Sequence, residues 1–400
     1  MKLSSRLILT VAVPVSVWLV STPLAAPQAA ATVPRSQMSD VVFKNVQALK
    51  GISVDDFLGT MGIMSASVGY DCSECHIGAG TDKVNWAADD NPKKLIARQM
   101  VIMVANINKQ NFGGSLNVTC WTCHHGRDRP STTPAMEAVY GPGSMETDDV
   151  VTSAPGTQPP DKILDRYLNA LGGAGELAKI KSYVATGSSV GFGGFGGGGH
   201  VEIDAKFPDE RATFIKFDAS TGRTDSDRTY NGKLGWIKTP LAVLTDYQLT
   251  GAELDGARLD AELSFPVQIK QVLTNLRSGL DTTISDLPGP SSQTDNQKPG
   301  ADQPMVDRLV NVVQGTGPRG MLATLYFDQK SGLLLRVIRY GKTPIGRVPT
   351  QVDYSDYREV NGIKMPFRMT FAWLDGRDAI QLTDVKPNVT IDASKFERPK

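Results

Sequence analysis

The chain has 400 residues, of which 42 are basic, 42 are acidic and 40% are hydrophobic. This length suggests two or three domains, and the apolar fraction excludes a chain that is disordered throughout. The balanced charge gives no electrostatic reason to expect a nucleic-acid partner.

The N-terminal 31 residues have the pattern of a secretory signal peptide. Lys2 and Arg6 are followed by an apolar stretch at residues 7–20 and by the small residues Ala29-Ala30-Ala31. The apolar stretch contains Pro14 and is short for a membrane span, which needs about 20 residues. We therefore predict a signal peptide over residues 1–31 and an exported, periplasmic protein. An uncleaved signal would instead tether the protein to the inner membrane.

All four cysteines belong to two motifs of identical spacing, and a histidine follows each pair. The motifs are Cys72-Ser-Glu-Cys75-His76 and Cys120-Trp-Thr-Cys123-His124. Two disulfides or one zinc site are the alternatives for four cysteines in an exported protein. However, Cys-x-x-Cys-His is the attachment signature of c-type haem. The sequence therefore predicts two covalent haems, with His76 and His124 as proximal iron ligands.

The small number of histidines limits the choice of the sixth iron ligands. Only His125 and His200 remain, and His125 is adjacent to a proximal ligand. Two haems that each bind two histidines are therefore not expected. Methionine is the natural alternative, and it raises the reduction potential relative to histidine.

A methionine-bearing helix is predicted before each motif. The first begins with a capping pattern at Ser53 and Asp56, and Phe57, Met61 and Met64 share one face. The spacing does not choose between Met61 and Met64. The alternative interpretation is that these methionines only pack in the hydrophobic core.

The second predicted helix begins at Asn91-Pro92, a cap followed by a first-turn proline. Its expected buried apolar face consists of Ile96, Met100, Met103 and Ile107. Here too the spacing leaves Met100 and Met103 as alternatives.

The segment from residue 42 to 130 resembles the photosynthetic reaction-centre cytochrome c subunit family. The matching residues are Met61 ahead of the first motif, the run Ala97-Arg98-Gln99-Met100, the pair Ile107-Asn108, and the run from Val118 to Gly126 around the second motif. The resemblance implies that Met61 and Met100 are the sixth ligands. The namesake of the family binds four haems, whereas this sequence has motifs for two. The resemblance therefore implies a two-haem form with electron transfer as the shared role.

The predicted organisation is multidomain. A small, mainly α-helical dihaem domain over residues 32–130 is followed by a proline-rich linker over residues 131–160 and by an α+β domain over residues 161–400. In the last domain, residues 163–171 have a helical apolar face that ends at Gly172-Gly173. Strand-like segments follow, with hairpin signals at Asn231-Gly232, Asn361-Gly362 and residues 328–332. We also expect helix over residues 251–280 and a polar loop over residues 285–304. The whole is expected to form a curved antiparallel sheet with helices against one face.

This second half resembles the half-barrels of the lipoprotein-carrier type. The matching segments are residues 163–173, residues 230–236 and Asn361-Gly-Ile-Lys-Met-Pro366. The resemblance implies a concave face that can hold lipid or another apolar ligand. The glycine run at residues 191–199 is expected to be a hairpin tip and not a nucleotide loop, because no Gly-Lys-Ser/Thr follows it. The pairs Asp55-Asp56 and Asp148-Asp149 are expected to be exposed helix-start or loop charges.

The favoured function is a periplasmic dihaem electron carrier that is not an enzyme. Its partners would be other redox proteins in the periplasm or at the inner membrane. A haem enzyme such as a peroxidase or reductase would need one open iron position, and the preceding methionines argue against it. The third hypothesis is a lipid or apolar-ligand binder with a redox domain.

Overall fold

The computed structural model describes residues 37–400 except 82, 131, 134–149, 152, 154, 191–197, 219–223, 240–243, 286–306 and 375. The predicted signal peptide, most of the predicted linker, the pair Asp148-Asp149, the polar loop and most of the glycine run lie outside these residues. The described residues form one compact unit. Within the described part, none of the helices combines the length and apolar character needed to cross a membrane.

The helices of the described part are short, apart from two in the first third of the chain. They are α1 Ser39–Val42, α2 Val54–Val68, α3 Pro92–Asn111, α4 Cys120–His124, α5 Pro160–Ala170, α6 Ala174–Leu177, α7 Gly251–Glu262 and α8 Ile269–Val272. Single 3-10 turns lie at Cys72–Glu74, Pro266–Gln268 and Ala393–Phe396.

The strands follow α6. They are β1 Ser182–Ser189, β2 Gly199–Lys206, β3 Glu210–Phe217, β4 Ser226–Asn231, β5 Gly235–Lys238, β6 Tyr247–Gln248, β7 Thr274–Ser278, β8 Thr282–Ser285, β9 Asp307–Thr316, β10 Leu322–Asp328, β11 Leu334–Thr343, β12 Gly346–Val360, β13 Ile363–Trp373 and β14 Gly376–Pro387.

These strands form one antiparallel sheet. Its order is β6-β5-β4-β3-β2-β1-β14-β13-β12-β11-β10-β9-β7, and β8 also pairs with β9. The three predicted hairpins are present between β4 and β5, β10 and β11, and β12 and β13. At the last of these, Asn361 and Gly362 have φ values of 52° and 83°, as a tight hairpin turn requires.

The sheet is curved around α7. This helix contacts β3 and β4 near one end of the strand order and also β11 near the other end. The carboxylate of Glu253 on α7 reaches Arg228 of β4 at 3.4 Å and Arg339 of β11 at 3.8 Å. A flat sheet could not bring these two strands to one helix, so the expected curved antiparallel sheet is confirmed.

The expectation of helix throughout residues 251–280 is wrong at its C-terminal end. After α8, the segment Thr274–Ser278 forms β7 and pairs with β9. In this pairing, backbone groups of Thr274–Ser278 form hydrogen bonds with β9, whereas in a helix they would bond within their own segment. Tertiary pairing of this kind overrides a local helical preference.

The main core lies between the helices and the concave face of the sheet. α5 buries the apolar face that the sequence predicts, with Ile163, Leu164, Tyr167 and Leu168 all inside. A smaller cluster joins the first third of the chain to the sheet, because Ile63 of α2 and Val101 of α3 pack with Ile345. The helices that precede the two cysteine motifs, α2 and α3, therefore pack against the loop between β11 and β12.

Candidate haem site

The first methionine-bearing helix, α2, begins and ends where the local sequence directs it. The Ser53 side chain accepts a hydrogen bond from the Asp56 N–H at 3.0 Å, which is the predicted cap. Gly69 ends the helix at φ 71° and turns the chain toward Cys72. A Cβ at Gly69 would lie 2.5 Å from the carbonyl oxygen of Gly126. The end of α2 therefore lies against the turn that follows the second motif.

The first motif is held by hydrogen bonds to the segments around it. The Asp71 carboxylate accepts from the Ser73 N–H at 2.7 Å, and the Asn91 side chain donates to the Glu74 carbonyl at 2.8 Å. The His76 ring lies 5.1 Å from the ring of Trp86. Burial, together with the nearby Lys94 ammonium, lowers the pKa of His76. This imidazole is therefore neutral near pH 7, as an iron ligand must be.

The second motif forms the short helix α4. Thr119 and Thr122 make a reciprocal capping box at its start. Nδ1 of His124 lies 2.9 Å from the carbonyl oxygen of Arg127. Because a carbonyl only accepts, Nδ1 carries the proton and donates, which leaves Nε2 able to bind a metal. In metal sites, a hydrogen bond from the other ring nitrogen orients the ligating histidine in this way.

Asn108 was missed as a positioning residue by the sequence reasoning. It is buried on α3 and accepts from the Asn117 and Val118 N–H groups at 3.1 and 2.9 Å. Its side chain also donates to the Val118 carbonyl at 2.7 Å. These three hydrogen bonds hold the segment that leads to Cys120. The sequence could have indicated this role, because Asn108 has the helical spacing that places it on the same face as Val101 and Val104.

The prediction for the buried face of α3 is wrong. Its buried residues are Val101, Val104 and Asn108, whereas Ile96 is 53% and Met103 is 42% exposed. The reason is that the Val101 side packs onto the cluster around Ile345. The other side, which includes Ile96 and Met100, faces a cavity.

One cavity of about 1260 Å³ adjoins both motifs and continues along the concave face of the sheet. Most of the predicted site residues line it: Met61, Cys72, Cys75, His76, Met100, Cys120 and His124. Met64 also lines it, whereas Met103 and Cys123 do not. Seven of the eight predicted site residues thus line the same cavity.

The four thiols, all of them in the described part of the chain, form no disulfide with one another. Burial raises the pKa of Cys120 to about 11 and also raises the pKa of Cys75. Thiols of this kind are protonated at neutral pH and are poor thiolate nucleophiles or metal ligands. Among the described residues, no group of three or more His, Cys, Asp or Glu side chains is arranged to hold a metal ion.

The residues present fit covalent haem. The first motif presents both cysteines and His76 beside the cavity, and the second presents Cys120 and His124. His124 also has the hydrogen bond that leaves Nε2 for iron. Cys72, Cys75, Cys120 and Cys123 would hold the porphyrin edges. His76 and His124 would supply the proximal nitrogen atoms.

The pair Asp55-Asp56 is not the exposed pair that the sequence suggested. Asp55 is 8% exposed, and its carboxylate accepts from the Thr250 N–H at 2.7 Å. Burial, with the neighbouring Glu253 carboxylate, raises the pKa of Asp55 well above its usual value. Burial also raises the pKa of Asp56. The reason is tertiary: α2 packs against β6 and places its first turn in the cavity wall.

Comparison with known proteins gives matches for the first part of the chain. Residues 15–155 match the family model described as the photosynthetic reaction centre cytochrome C subunit. The chain is 32% identical over 145 residues to the photosynthetic reaction center cytochrome c subunit of Roseobacter denitrificans, covering 33% of this chain and 38% of that protein. It is 36% identical over 93 residues to the subunit of the same name from Thermochromatium tepidum, covering 22% of each chain. The chain thus spans well under half the length of the curated relatives it matches.

Solved structures with some likeness include a LolA superfamily protein from Nitrosomonas europaea, at 13% identity and a TM-score of 0.36 over 60% of this chain and 99% of that one. Another is a putative outer membrane lipoprotein-sorting protein domain from Vibrio parahaemolyticus, at 11% identity and a TM-score of 0.34 over 59% of this chain and 94% of that one.

The expected cytochrome resemblance over residues 42–130 is confirmed, because the family match encloses that segment and both motifs. Over about a third of its length, this chain is therefore similar to the photosynthetic reaction-centre cytochrome c subunits.

Proposed function

We propose that the protein is a periplasmic dihaem c-type cytochrome that carries single electrons between redox partners, without catalysing a reaction of its own. The partners would be redox proteins in the periplasm or at the inner membrane. The proposal includes export by the N-terminal signal peptide. The similarity to the reaction-centre cytochrome subunits supports the c-type class.

One observation carries this proposal. Two Cys-x-x-Cys-His motifs and the methionine-bearing helices α2 and α3 converge on a single cavity. The two motifs also lie close together, because the Gly126 N–H donates to the Ser67 carbonyl of α2 at 2.8 Å. Short separation between redox centres favours electron transfer from one to the other.

When bound, haem iron supplies a one-electron redox couple. The chain fixes that couple through its own residues. Met61 and Met100 would each supply a thioether sulfur as a further iron ligand. Met64 also lines the cavity and remains the alternative to Met61, whereas the place of Met103 outside the cavity favours Met100.

The protein around the motifs would exclude water and set the potential. Ile63, Val101 and Ile345 form the apolar cluster beside α2, and Met61, Met64 and Cys120 pack against it. An apolar shell disfavours the higher charge of oxidised iron and so raises its potential.

Haem counting on the full chain tests the proposal. Mass spectrometry under denaturing conditions should show two covalent haems. Replacing Cys72 and Cys75 together by Ala should remove one, and the matched Cys120→Ala/Cys123→Ala variant should remove the other. A wild-type mass with no added haem would contradict the proposal. A high-spin resting spectrum that changes rapidly with peroxide would favour the haem enzyme instead.

The cavity favours a second function beside electron transfer, which is binding of an apolar molecule by the concave face of the sheet. Its volume of about 1260 Å³ exceeds the usual range for small-molecule pockets, which is about 300–1,000 Å³. Beyond the motifs, its wall includes Ile203, Ile380 and Leu382. Solvent extraction of the purified full chain should release an apolar molecule. A clean extract from a chain that also takes up no neutral apolar probe would contradict this function.

A further inference from the structure

Four arginines line the cavity, and Arg211 is the one of them that forms no ion pair with a described residue. Arg211 is on β3, and Thr213 and Ile215 of the same strand also line the cavity. Residues two apart point to the same face of a strand, so the Arg211 side chain faces the concave side of the sheet. The guanidinium therefore lies on the same side of the sheet as the apolar wall residues Ile203 and Ile215.

The register of three strands explains how this side chain is held. Arg211 pairs with Ala205, and Ala205 pairs with Tyr183. The methyl group of Ala205 leaves room for the arginine to cross β2 and reach β1. Nη1 of Arg211 donates to the Tyr183 hydroxyl at 3.0 Å and to the Ser264 hydroxyl at 2.7 Å.

Both of these partners are neutral, so they do not compensate the charge. Asp260 acts on Arg211 through space, but both of its oxygens accept from Nη1 of Arg339 at 3.0 Å. Within the described residues, no carboxylate forms an ion pair with Arg211. Arg211 is partly buried and has no ion-pair partner of its own, so this position favours an anion in the cavity.

Two further donor groups of the Arg211 side chain are not used within the described part of the protein. Nε and Nη2 of Arg211 have no hydrogen-bond partner among the described residues. The Tyr183 oxygen accepts from Arg211, which leaves its own O–H to donate. The planar fork of arginine matches the two oxygens of a carboxylate. Arg211 and Tyr183 thus form a head-group site of the right charge and shape for one carboxylate.

We propose that the cavity binds a long-chain carboxylic acid, with its carboxylate on Arg211 and Tyr183 and its chain along the apolar wall. This assignment rests on the apolar-ligand function proposed above. The chain would lie against residues of β2, β13 and β14, namely Ile203, Met365, Met369, Ile380 and Leu382. Methionine adapts its shape to flexible apolar ligands.

Calorimetric titration of the full haem-loaded protein tests the assignment. The probes are oleate below its micelle concentration, neutral methyl oleate and phosphatidylglycerol. We expect oleate to bind, and Arg211→Gln to weaken its binding at least tenfold, since the substitution removes a charge-assisted hydrogen bond to the carboxylate. Methyl oleate should bind more weakly and be insensitive to the substitution.

Arg336→Gln is the matched control. Arg336 is partly buried on β11 but pairs with Asp353 at 2.6 Å and does not line the cavity. Oleate affinity should be unchanged in this variant, and equal losses in both variants would overturn the assignment.

The other outcomes separate the two claims. Equal binding of oleate and methyl oleate, or full oleate affinity in Arg211→Gln, would overturn the head-group site while the apolar function stands. Arg211-dependent binding of phosphatidylglycerol without oleate would overturn the choice of a carboxylic acid. Absence of binding by all three probes would overturn the apolar function itself.

Discussion

The two motif histidines, which we propose as iron ligands, are held in different environments. His124 is oriented by the Arg127 carbonyl, which fixes the proton on Nδ1. For His76, burial and the charge of Lys94 lower the pKa of the ring and keep it neutral. The His76 imidazole is therefore neutral beside the cavity at physiological pH.

The proposed methionine ligands can be tested one residue at a time. Met61→Ala and Met100→Ala should each convert one haem to high spin and lower its potential, because thioether ligation raises it. Absorption spectra and redox titration of each variant give the result. Met103→Ala is the matched control, since Met103 lies outside the cavity on the same helix as Met100. A normal low-spin spectrum in either ligand variant would show that its methionine is not the ligand.

The roles of residues that belong to a local sequence pattern could be predicted. The roles of residues that depend on burial in the tertiary structure could not. The motif cysteines and histidines, the Ser53 cap and the Asn91 cap are all contained in short stretches of sequence. Asp55, Asn108 and Arg211 look like ordinary polar residues until packing surrounds them. Their burial depends on which strands come to face them, and a single sequence does not contain that information.

At the scale of elements, the close contact between the end of α2 and the turn after α4 joins the two motifs. It depends on Gly69, because the carbonyl oxygen of Gly126 occupies the place of a side chain there. Helix positions and hairpins followed from capping and turn residues. The packing face of α3 did not follow from the sequence. This helix has apolar residues on two sides, and only the side with Val101 packs against Ile345.

Gly69→Ala should destabilise the fold more than Gly113→Ala. Both positions have positive φ, 71° and 60°, so the conformational cost of alanine is shared. Only at Gly69 would the added Cβ meet another atom, at 2.5 Å, whereas Gly113 has open space. We expect a difference of about 2 kcal/mol in the free energy of unfolding, measured by urea denaturation. Equal losses in the two variants would contradict the close contact.

Glu262, the last residue of α7, should make stability depend on pH. Burial raises its pKa from 4.5 to about 7, although the Gln268 N–H donates to it. Because the folded-state pKa is raised, its stabilising contribution is full below pH 4.5 and is lost as pH rises through about 7.

Glu262→Gln should therefore match the wild type at pH 4 and exceed it at pH 8. The gain in the free energy of unfolding should be on the order of 2–3 kcal/mol. Urea denaturation of both proteins at the two pH values measures it. A difference that does not change with pH would show that the Glu262 carboxyl titrates normally.

At the scale of the whole molecule, one cavity connects the motif residues with the concave face of the sheet. The sequence indicated both halves separately, through the cysteine spacing and the strand pattern. It gave no sign that they share a space, because the contact between α2 and the strands β6, β11 and β12 joins residues far apart in the chain. The electron-transfer and ligand-binding proposals therefore concern neighbouring parts of one molecule.

A redox titration of the full chain with parallel haem quantification tests the central claim most directly. The account predicts two haems per chain, a low-spin resting spectrum and two one-electron steps, of which each cysteine-pair variant loses one. A single haem, no covalent haem, or a high-spin resting spectrum at either site would contradict a dihaem electron carrier with methionine ligands.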